Sequence, residues 1–112
     1  MTGQDDEAGA GLTALRTALG EIVSTAEGDL RRVSFDAMKI AFPPSAVVTP
    51  TADDQVGELL RLANEFEVPV TTRGAGSSLT GSAVPIQGGW VLDLSPMNAF
   101  TIDRDERICV AQ

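Results

Sequence analysis

A strand, a helix and a second strand follow one another between residues 46 and 72, and this order constrains the fold more than any other feature. Residues 46–49 are a short, largely β-branched run between prolines, which predicts a strand. Residues 68–72 predict the next strand. The apolar residues between them recur at helical spacing and predict this buried stripe: Val56, Leu59, Leu60, Ala63 and Phe66. Two strands joined by a helix indicate a right-handed crossover and a parallel pair.

A glycine-rich loop follows the carboxyl end of the second predicted strand. Five of the chain's eleven glycines lie between residues 74 and 89. Glycine lets the backbone adopt positive φ and lets a ligand approach the amides closely. Consecutive amides in such a turn, with the hydroxyls of Ser77, Ser78 and Thr80, can hold an anion. The loop therefore predicts phosphate or pyrophosphate binding, at the sheet edge where open α/β folds place ligands.

The loop departs from the two best-known phosphate motifs. A dinucleotide fingerprint requires a third glycine where this chain has Leu79, and a P-loop requires Gly-Lys-Ser/Thr, which the sequence lacks. For an isolated Gly-x-Gly the alternative interpretation is a surface turn without a ligand. The segments around the loop are needed to choose between the two interpretations.

These segments resemble the start of the FAD-binding domain of FAD-linked oxidases. The resemblance is carried, in matching order and spacing, by residues 44–50, 56–64, 68–70, 73–81 and 91–98. These oxidases form the vanillyl-alcohol-oxidase-like superfamily, with its PCMH-type FAD-binding domain. The chain is most similar to the D-2-hydroxy-acid branch, which includes the D subunit of glycolate oxidase and D-lactate dehydrogenases. The resemblance covers about residues 30–112.

The resemblance implies that the loop binds the pyrophosphate of FAD. The residues expected to bind the cofactor are Arg73, Gly74, Ala75, Gly76, Ser77, Ser78 and Gly81. Arg73 is explained by loop structure or by contact with FAD phosphate better than by a contact with substrate. Covalent relatives carry a linking histidine just after the loop glycines, where this chain has Ser77, so the FAD is expected to be non-covalent. Asp36 resembles the aspartate that follows an aromatic residue in this part of the family.

The implied reaction is oxidation of a D-2-hydroxy acid such as D-lactate or glycolate, with hydride transfer to the flavin while a base takes the hydroxyl proton. The cofactor supplies the redox chemistry and the protein positions it. The family's base and substrate groups belong to later segments, so no catalytic residue is assigned and the chain is expected to be an inactive N-terminal piece. Two alternatives stay open: a non-catalytic nucleotide- or phosphate-binding module, and an assembly subunit whose sheet another chain completes.

Composition excludes several other classes. Eight basic and sixteen acidic residues give a net charge of −8 with only 4% aromatic residues, which argues against nucleic acids and anionic membranes. The chain has no histidine, so the usual zinc sites and Ser-His or Cys-His nucleophiles are excluded and no metal is expected. No apolar run approaches the ~20 residues of a membrane span, and there is no secretory signal, so the expected compartment is the cytoplasm.

Along the chain we predict an α+β fold in three parts: a disordered acidic tail (1–11), an N-terminal helix and connecting segment (12–42), and an incomplete FAD-binding domain (43–112). The N-terminal helix carries an apolar stripe from Leu12 to Val23, with Gly20 as a possible stop. Within the domain, Thr51 and Asp54 predict a capping box before the helix of the β-α-β unit.

Three further strands are predicted at residues 90–94, 100–102 and 108–111. Trp90 is expected to pack in the core rather than stack on a flavin, because strands bury aromatic residues routinely. Cys109 is alone in the chain and lies in an apolar run, so a buried thiol is expected.

Overall fold

The structure is a computed structural model that describes residues 3–37, 39–78 and 80–112. Its helices are α1 (Gly3–Leu19), α2 (Glu27–Arg32) and α3 (Asp53–Glu65), with a 3₁₀ turn at Gly20–Ile22. Its strands are β1 (Val23–Ser24), β2 (Ala46–Val48), β3 (Val70–Arg73), β4 (Trp90–Asp93), β5 (Phe100–Asp103) and β6 (Ile108–Ala111). The predicted α+β fold, with an N-terminal helix, a β-α-β unit and further strands, is confirmed.

Four strands form one sheet in the order β1-β2-β4-β3. Both β2 and β3 run parallel to β4, and β1 runs antiparallel to β2. The sequence predicted β2 and β3 as a parallel pair, but β4 lies between them. All four residues of β4 are buried, whereas β3 is only partly covered. A strand that is apolar on both faces suits the centre of a parallel sheet, which explains the insertion.

The main core lies between the sheet and helices α1 and α3. Its buried side chains include Leu15, Leu59, Trp90 and Leu92. Trp90 is 1% exposed, which confirms its predicted packing role. The other face of the sheet presents Val47 and Val91, because successive strand residues point to opposite sides.

The buried stripe of α3 differs from the prediction at one position. Leu59, Leu62 and Ala63 are buried, whereas Leu60 is 44% exposed. Steps of three and four residues from Leu59 reach Leu62 and Ala63, while Leu60 is rotated by about 100° from that face. The prediction for Leu60 was therefore wrong, and Leu62 occupies the core in its place.

The cap of α3 is also shifted from its predicted register. The helix begins after Ala52, and the Gln55 carboxamide oxygen accepts hydrogen bonds from the amides of Thr51 (2.8 Å) and Ala52 (3.3 Å). This is the back-reaching half of a capping box, supplied by Gln55 rather than by the predicted Asp54.

Helix α1 begins at Gly3, within the segment for which the sequence predicted a disordered tail; residues 1 and 2 lie outside the described residues. A Cβ on Gly11 would lie 3.2 Å from Phe66 Cβ and 3.5 Å from Trp90 Cζ2. Gly11 therefore lets α1 approach the core closely before the apolar stripe starts at Leu12. The helix ends at Leu19, next to the Gly20 that the sequence marked as a possible stop or weak point; Val23, the last residue of the predicted helical stripe, lies instead in β1.

Strands β5 and β6 were both predicted from the sequence, and they pair as a separate antiparallel hairpin. Every residue of both strands is exposed, including Cys109. The prediction of a buried thiol was therefore wrong. An apolar run indicates that a strand can be buried by packing against other elements. Here no described residue of the core packs over the hairpin.

Candidate functional site

The glycine loop, residues 74–81, starts where β3 ends at Arg73. The amide of Leu94, just beyond β4, donates to the Arg73 carbonyl at 2.8 Å and fixes the start of the loop against the neighbouring strand. The carboxyl ends of β2, β3 and β4 share this edge because the three strands are parallel. Ligands of open α/β sheets bind at this edge.

Two glycines of the loop adopt backbone angles that favour glycine. Gly76 has φ +73° and Gly81 has φ +80°. A Cβ on Gly76 would lie 2.0 Å from Nη2 of Arg73, so a side chain there would displace the guanidinium. At Gly74 and Gly81, by contrast, a Cβ would have no neighbour within 4 Å among the described residues. The loop is therefore tight beneath Gly76 and open on its outer side.

The backbone amides of the loop are available to a ligand. Within the part of the chain that the structure describes, the amides of residues 74–78 donate no hydrogen bond. Gly74, Ala75 and Ser77 are exposed, and Gly76 and Ser78 are half-buried. Successive free N–H groups in a turn that contains a left-handed residue can together bind an anion.

Three hydroxyl groups lie together at the end of the loop and directly after it. Ser78 Oγ lies 3.0 Å from Thr80 Oγ1 and 3.1 Å from Ser82 Oγ, and it accepts a hydrogen bond from the Thr80 amide. The sequence grouped Ser77 with Ser78 and Thr80, whereas the structure brings in Ser82. The alternation at 78, 80 and 82 was the available signal. Leu79, which breaks the dinucleotide fingerprint, lies outside the described residues.

Arg73 is buried, at 8% exposure, and its charge is directed at backbone carbonyls. Its Nη1 donates to the Phe35 carbonyl at 2.6 Å and lies 3.5 Å from the Val33 carbonyl. Of the two explanations that the sequence left open, this geometry favours loop structure over a phosphate contact.

Asp36 is 3% exposed and contacts the end of the loop. Its Oδ2 accepts a hydrogen bond from the Gly81 amide at 3.0 Å, and the neighbouring Ala37 amide donates to the Ser78 carbonyl at 3.2 Å. The sequence singled out Asp36 through the family resemblance alone; the structure shows that it contacts the glycine loop.

Asp93 is a second buried carboxylate, and sequence reasoning missed it. It ends β4 beside Arg73, is 1% exposed and pairs with Arg32 at 3.0 Å. Burial raises the pKa of Asp93, but hydrogen bonds from Ser95 and Arg32 lower it, and the net pKa is below its ordinary value. An aspartate within the apolar run of residues 90–94 was the signal for a buried, paired charge.

An apolar groove of about 230 Å³ opens beside the loop. Gly81, Thr80 and Asp36 form its polar side, and its apolar side consists of Ile40, Phe42, Val84 and Ile86. Apolar walls with a few convergent polar groups are typical of cofactor sites.

Unpaired amides at residues 74–78 on the carboxyl edge of parallel strands, with clustered hydroxyls and an adjacent apolar groove, are features typical of a site for a phosphate-bearing cofactor. Residues 44–112 match the family described as FAD binding domain, and the chain belongs to this family. Its cofactor is FAD. The loop fits the pyrophosphate of FAD because, among the described residues, the amides of residues 74–78 donate no hydrogen bond and a Cβ at Gly74 or Gly81 would meet no neighbour within 4 Å.

Two curated relatives and one solved structure illustrate this similarity. A D-lactate dehydrogenase of Archaeoglobus fulgidus is 39% identical over 64 residues, which is 57% of this chain and 14% of that protein. The glycolate oxidase subunit GlcD of Bacillus subtilis is 38% identical over 70 residues, 62% of this chain and 15% of that protein. The crystal structure of p-cresol methylhydroxylase with substrate bound matches with TM-score 0.72 and 32% identity over 92% of this chain and 21% of that chain.

The matches confirm the resemblance to FAD-linked oxidoreductases that the sequence indicated. The chain spans 14% to 21% of the length of these three proteins. Among the described residues, no helix is both long and apolar enough to cross a bilayer.

Proposed function

We propose that residues 73–81 bind the pyrophosphate of FAD in a flavin-dependent oxidoreductase that acts on a D-2-hydroxy acid such as D-lactate or glycolate. The observation that carries this proposal is the run of free amides at residues 74–78 on the carboxyl edge of the sheet. Those amides donate to phosphate oxygens, and Gly81 leaves room for close approach. Bound FAD supplies the redox chemistry by accepting a hydride.

The substrate class is supported by the two relatives whose names refer to D-lactate and glycolate, both of which are 2-hydroxy acids. The similarity to p-cresol methylhydroxylase supports a second candidate, a phenolic substrate. Since this chain spans only 14% to 21% of these proteins, the activity is proposed for the complete protein that contains it. No residue of the chain is assigned as catalytic.

The test is dye reduction by the complete protein with D-lactate, glycolate, L-lactate and p-cresol as separate substrates. The proposal predicts reduction with D-lactate or glycolate and little with L-lactate. Reduction with p-cresol alone would favour the phenolic candidate, and a protein that retains FAD but reduces no dye would contradict both.

We further propose that FAD is held without a covalent bond to this segment. A histidine linkage is impossible here because the chain has no histidine and Ser77 stands at the position that links FAD in covalent relatives. Acid precipitation of the complete protein is expected to release the yellow colour into the supernatant. Flavin that stays on a peptide containing residues 71–81 would contradict this.

Cytoplasmic location and a partner chain that completes the sheet are further proposals. β3 is an edge strand, and the hairpin exposes Phe100 and Ile102 at 63% and 62%. Unpaired edges and exposed apolar strands are surfaces that another polypeptide can cover.

A further inference from the structure

One short segment, residues 33–37, makes hydrogen bonds to the glycine loop near both its start and its end. Arg73, directly before the loop, donates to the Phe35 carbonyl at 2.6 Å. Toward the end of the loop the Gly81 amide donates to Asp36 at 3.0 Å, and the Ala37 amide donates to the Ser78 carbonyl at 3.2 Å. We call residues 33–37 the clasp.

The clasp is itself fixed to the sheet. Val33 is fully buried against Val47 and Val91, and the Phe42 amide donates to the Ser34 carbonyl at 2.8 Å. The segment that contacts the loop is therefore itself packed against the sheet.

The clasp reduces the loss of backbone entropy that a glycine loop undergoes when a ligand orders it. Glycine loses more backbone freedom on ordering than any other residue, and a ligand that must order its loop binds more weakly. The left-handed Gly76 lies directly over the Arg73 guanidinium, at a site where a Cβ would come within 2.0 Å of Nη2. Arg73 thus fills the space beneath Gly76, and its charge is already engaged by backbone carbonyls.

We propose that Arg73 and Asp36 are positioning residues that hold the glycine loop in its ligand-binding shape before FAD arrives, and that Arg73 is not itself a phosphate ligand. This inference rests on the proposed function for its link to FAD. The ordering of the loop by the clasp can be measured without any cofactor.

The first measurement is amide hydrogen exchange of the FAD-free chain by NMR. Asp36→Ala removes the acceptor of the Gly81 amide, so that amide is expected to exchange about tenfold faster. Asp36→Asn keeps an oxygen acceptor and is expected to restore much of the protection. Arg73→Met is expected to accelerate exchange at Ala37 and Gly81. Matched controls are Asp105→Ala and Arg104→Met, both at exposed positions in the hairpin turn.

The second measurement is FAD affinity of the same variants in the complete protein, which is expected to fall about tenfold for Asp36→Ala and Arg73→Met and to recover in Asp36→Asn. Unchanged exchange at Gly81 and Ala37 in both variants would overturn the clasp. Faster exchange with unchanged FAD affinity would also overturn it, since loop order would then be irrelevant to binding.

Two further outcomes are distinguishable. If the unsubstituted complete protein binds no FAD, the proposed function fails, while the exchange data still test the clasp. If circular dichroism shows that Arg73→Met does not fold, Arg73→Lys replaces the planar fork with a single ammonium group. Arg73→Lys must then accelerate exchange at Ala37, and normal exchange there would overturn the clasp.

Discussion

At the scale of single residues, the loop depends on a glycine that the backbone requires and on two charged side chains buried beside it. Gly76 could be predicted because glycine spacing after a strand is visible in the sequence. The contacts of Arg73 and Asp36 could not, because their partners lie about forty residues away along the chain and no local pattern records them.

Gly76→Val is expected to abolish FAD retention by the complete protein. The substitution forces a β-branched residue to φ +73° and places its Cβ against the Arg73 guanidinium. The flavin absorbance of the purified protein measures the effect, and circular dichroism checks the fold. The matched control is Gly57→Val on α3, where a Cβ meets no described atom within 4 Å. Normal flavin content in Gly76→Val would refute this role.

Arg32→Met is expected to lower the free energy of unfolding by about 1 kcal/mol at pH 7, because Asp93 loses a charged hydrogen-bond donor whose own side chain is half exposed. The folded-state pKa of Asp93 is below that of the unfolded chain, so the contribution is complete above about pH 4 and is lost as pH falls through the folded-state value.

Urea denaturation at pH 7, 5 and 3 measures this effect, with the exposed neighbour Arg31→Met as control. The difference between Arg32→Met and the unsubstituted chain should shrink toward pH 3. A difference that is the same at all three values would show that the pairing with Asp93 is not its cause.

At the scale of elements, the sequence predicted the N-terminal helix, the helix of the β-α-β unit and five of the six strands. It did not predict helix α2 or the order of the strands in the sheet. α2 has six residues and no apolar period, so nothing marked it. The insertion of β4 between β2 and β3 depends on long-range pairing, which propensity and periodicity do not encode. The error at Leu60 arose because the predicted stripe included Leu60, which is rotated away from the core, and omitted the buried Leu62.

Leu59→Ala and Leu60→Ala form a matched pair on α3. Leu59 is fully buried, so its truncation leaves a cavity and is expected to cost about 2–5 kcal/mol in the free energy of unfolding. Leu60 is 44% exposed, and its truncation is expected to cost well under half as much. Chemical denaturation measures both, and equal losses would mean that the face of α3 is misassigned.

Cys109 on β6 is expected to react rapidly with a thiol reagent in the native 112-residue chain, because its strand is exposed along its whole length. The rate should approach that measured in denaturant. Labelling that requires unfolding would return Cys109 to the buried state that its apolar neighbours suggested.

At the scale of the whole molecule, the family and its cofactor could be predicted from the sequence because its motifs lie close together along the chain. The substrate could not, since this chain spans a small part of its relatives' length. The glycine loop and its groove form one side of a site. We therefore expect the 112-residue chain to bind FAD more weakly than micromolar, which requires about −8 kcal/mol, and to oxidise neither D-lactate nor glycolate.

The central claim, that the free amides of residues 74–78 bind the pyrophosphate of FAD, is tested most directly by NMR titration of the ¹⁵N-labelled chain, which detects weak binding. FAD and inorganic pyrophosphate are predicted to shift the amide signals of Gly74 to Ser78 and Gly81, riboflavin is predicted to leave them in place, and Gly76→Val is predicted to suppress the shifts. Shifts centred on other residues, or loop amide signals that do not move at millimolar FAD, would contradict the central claim.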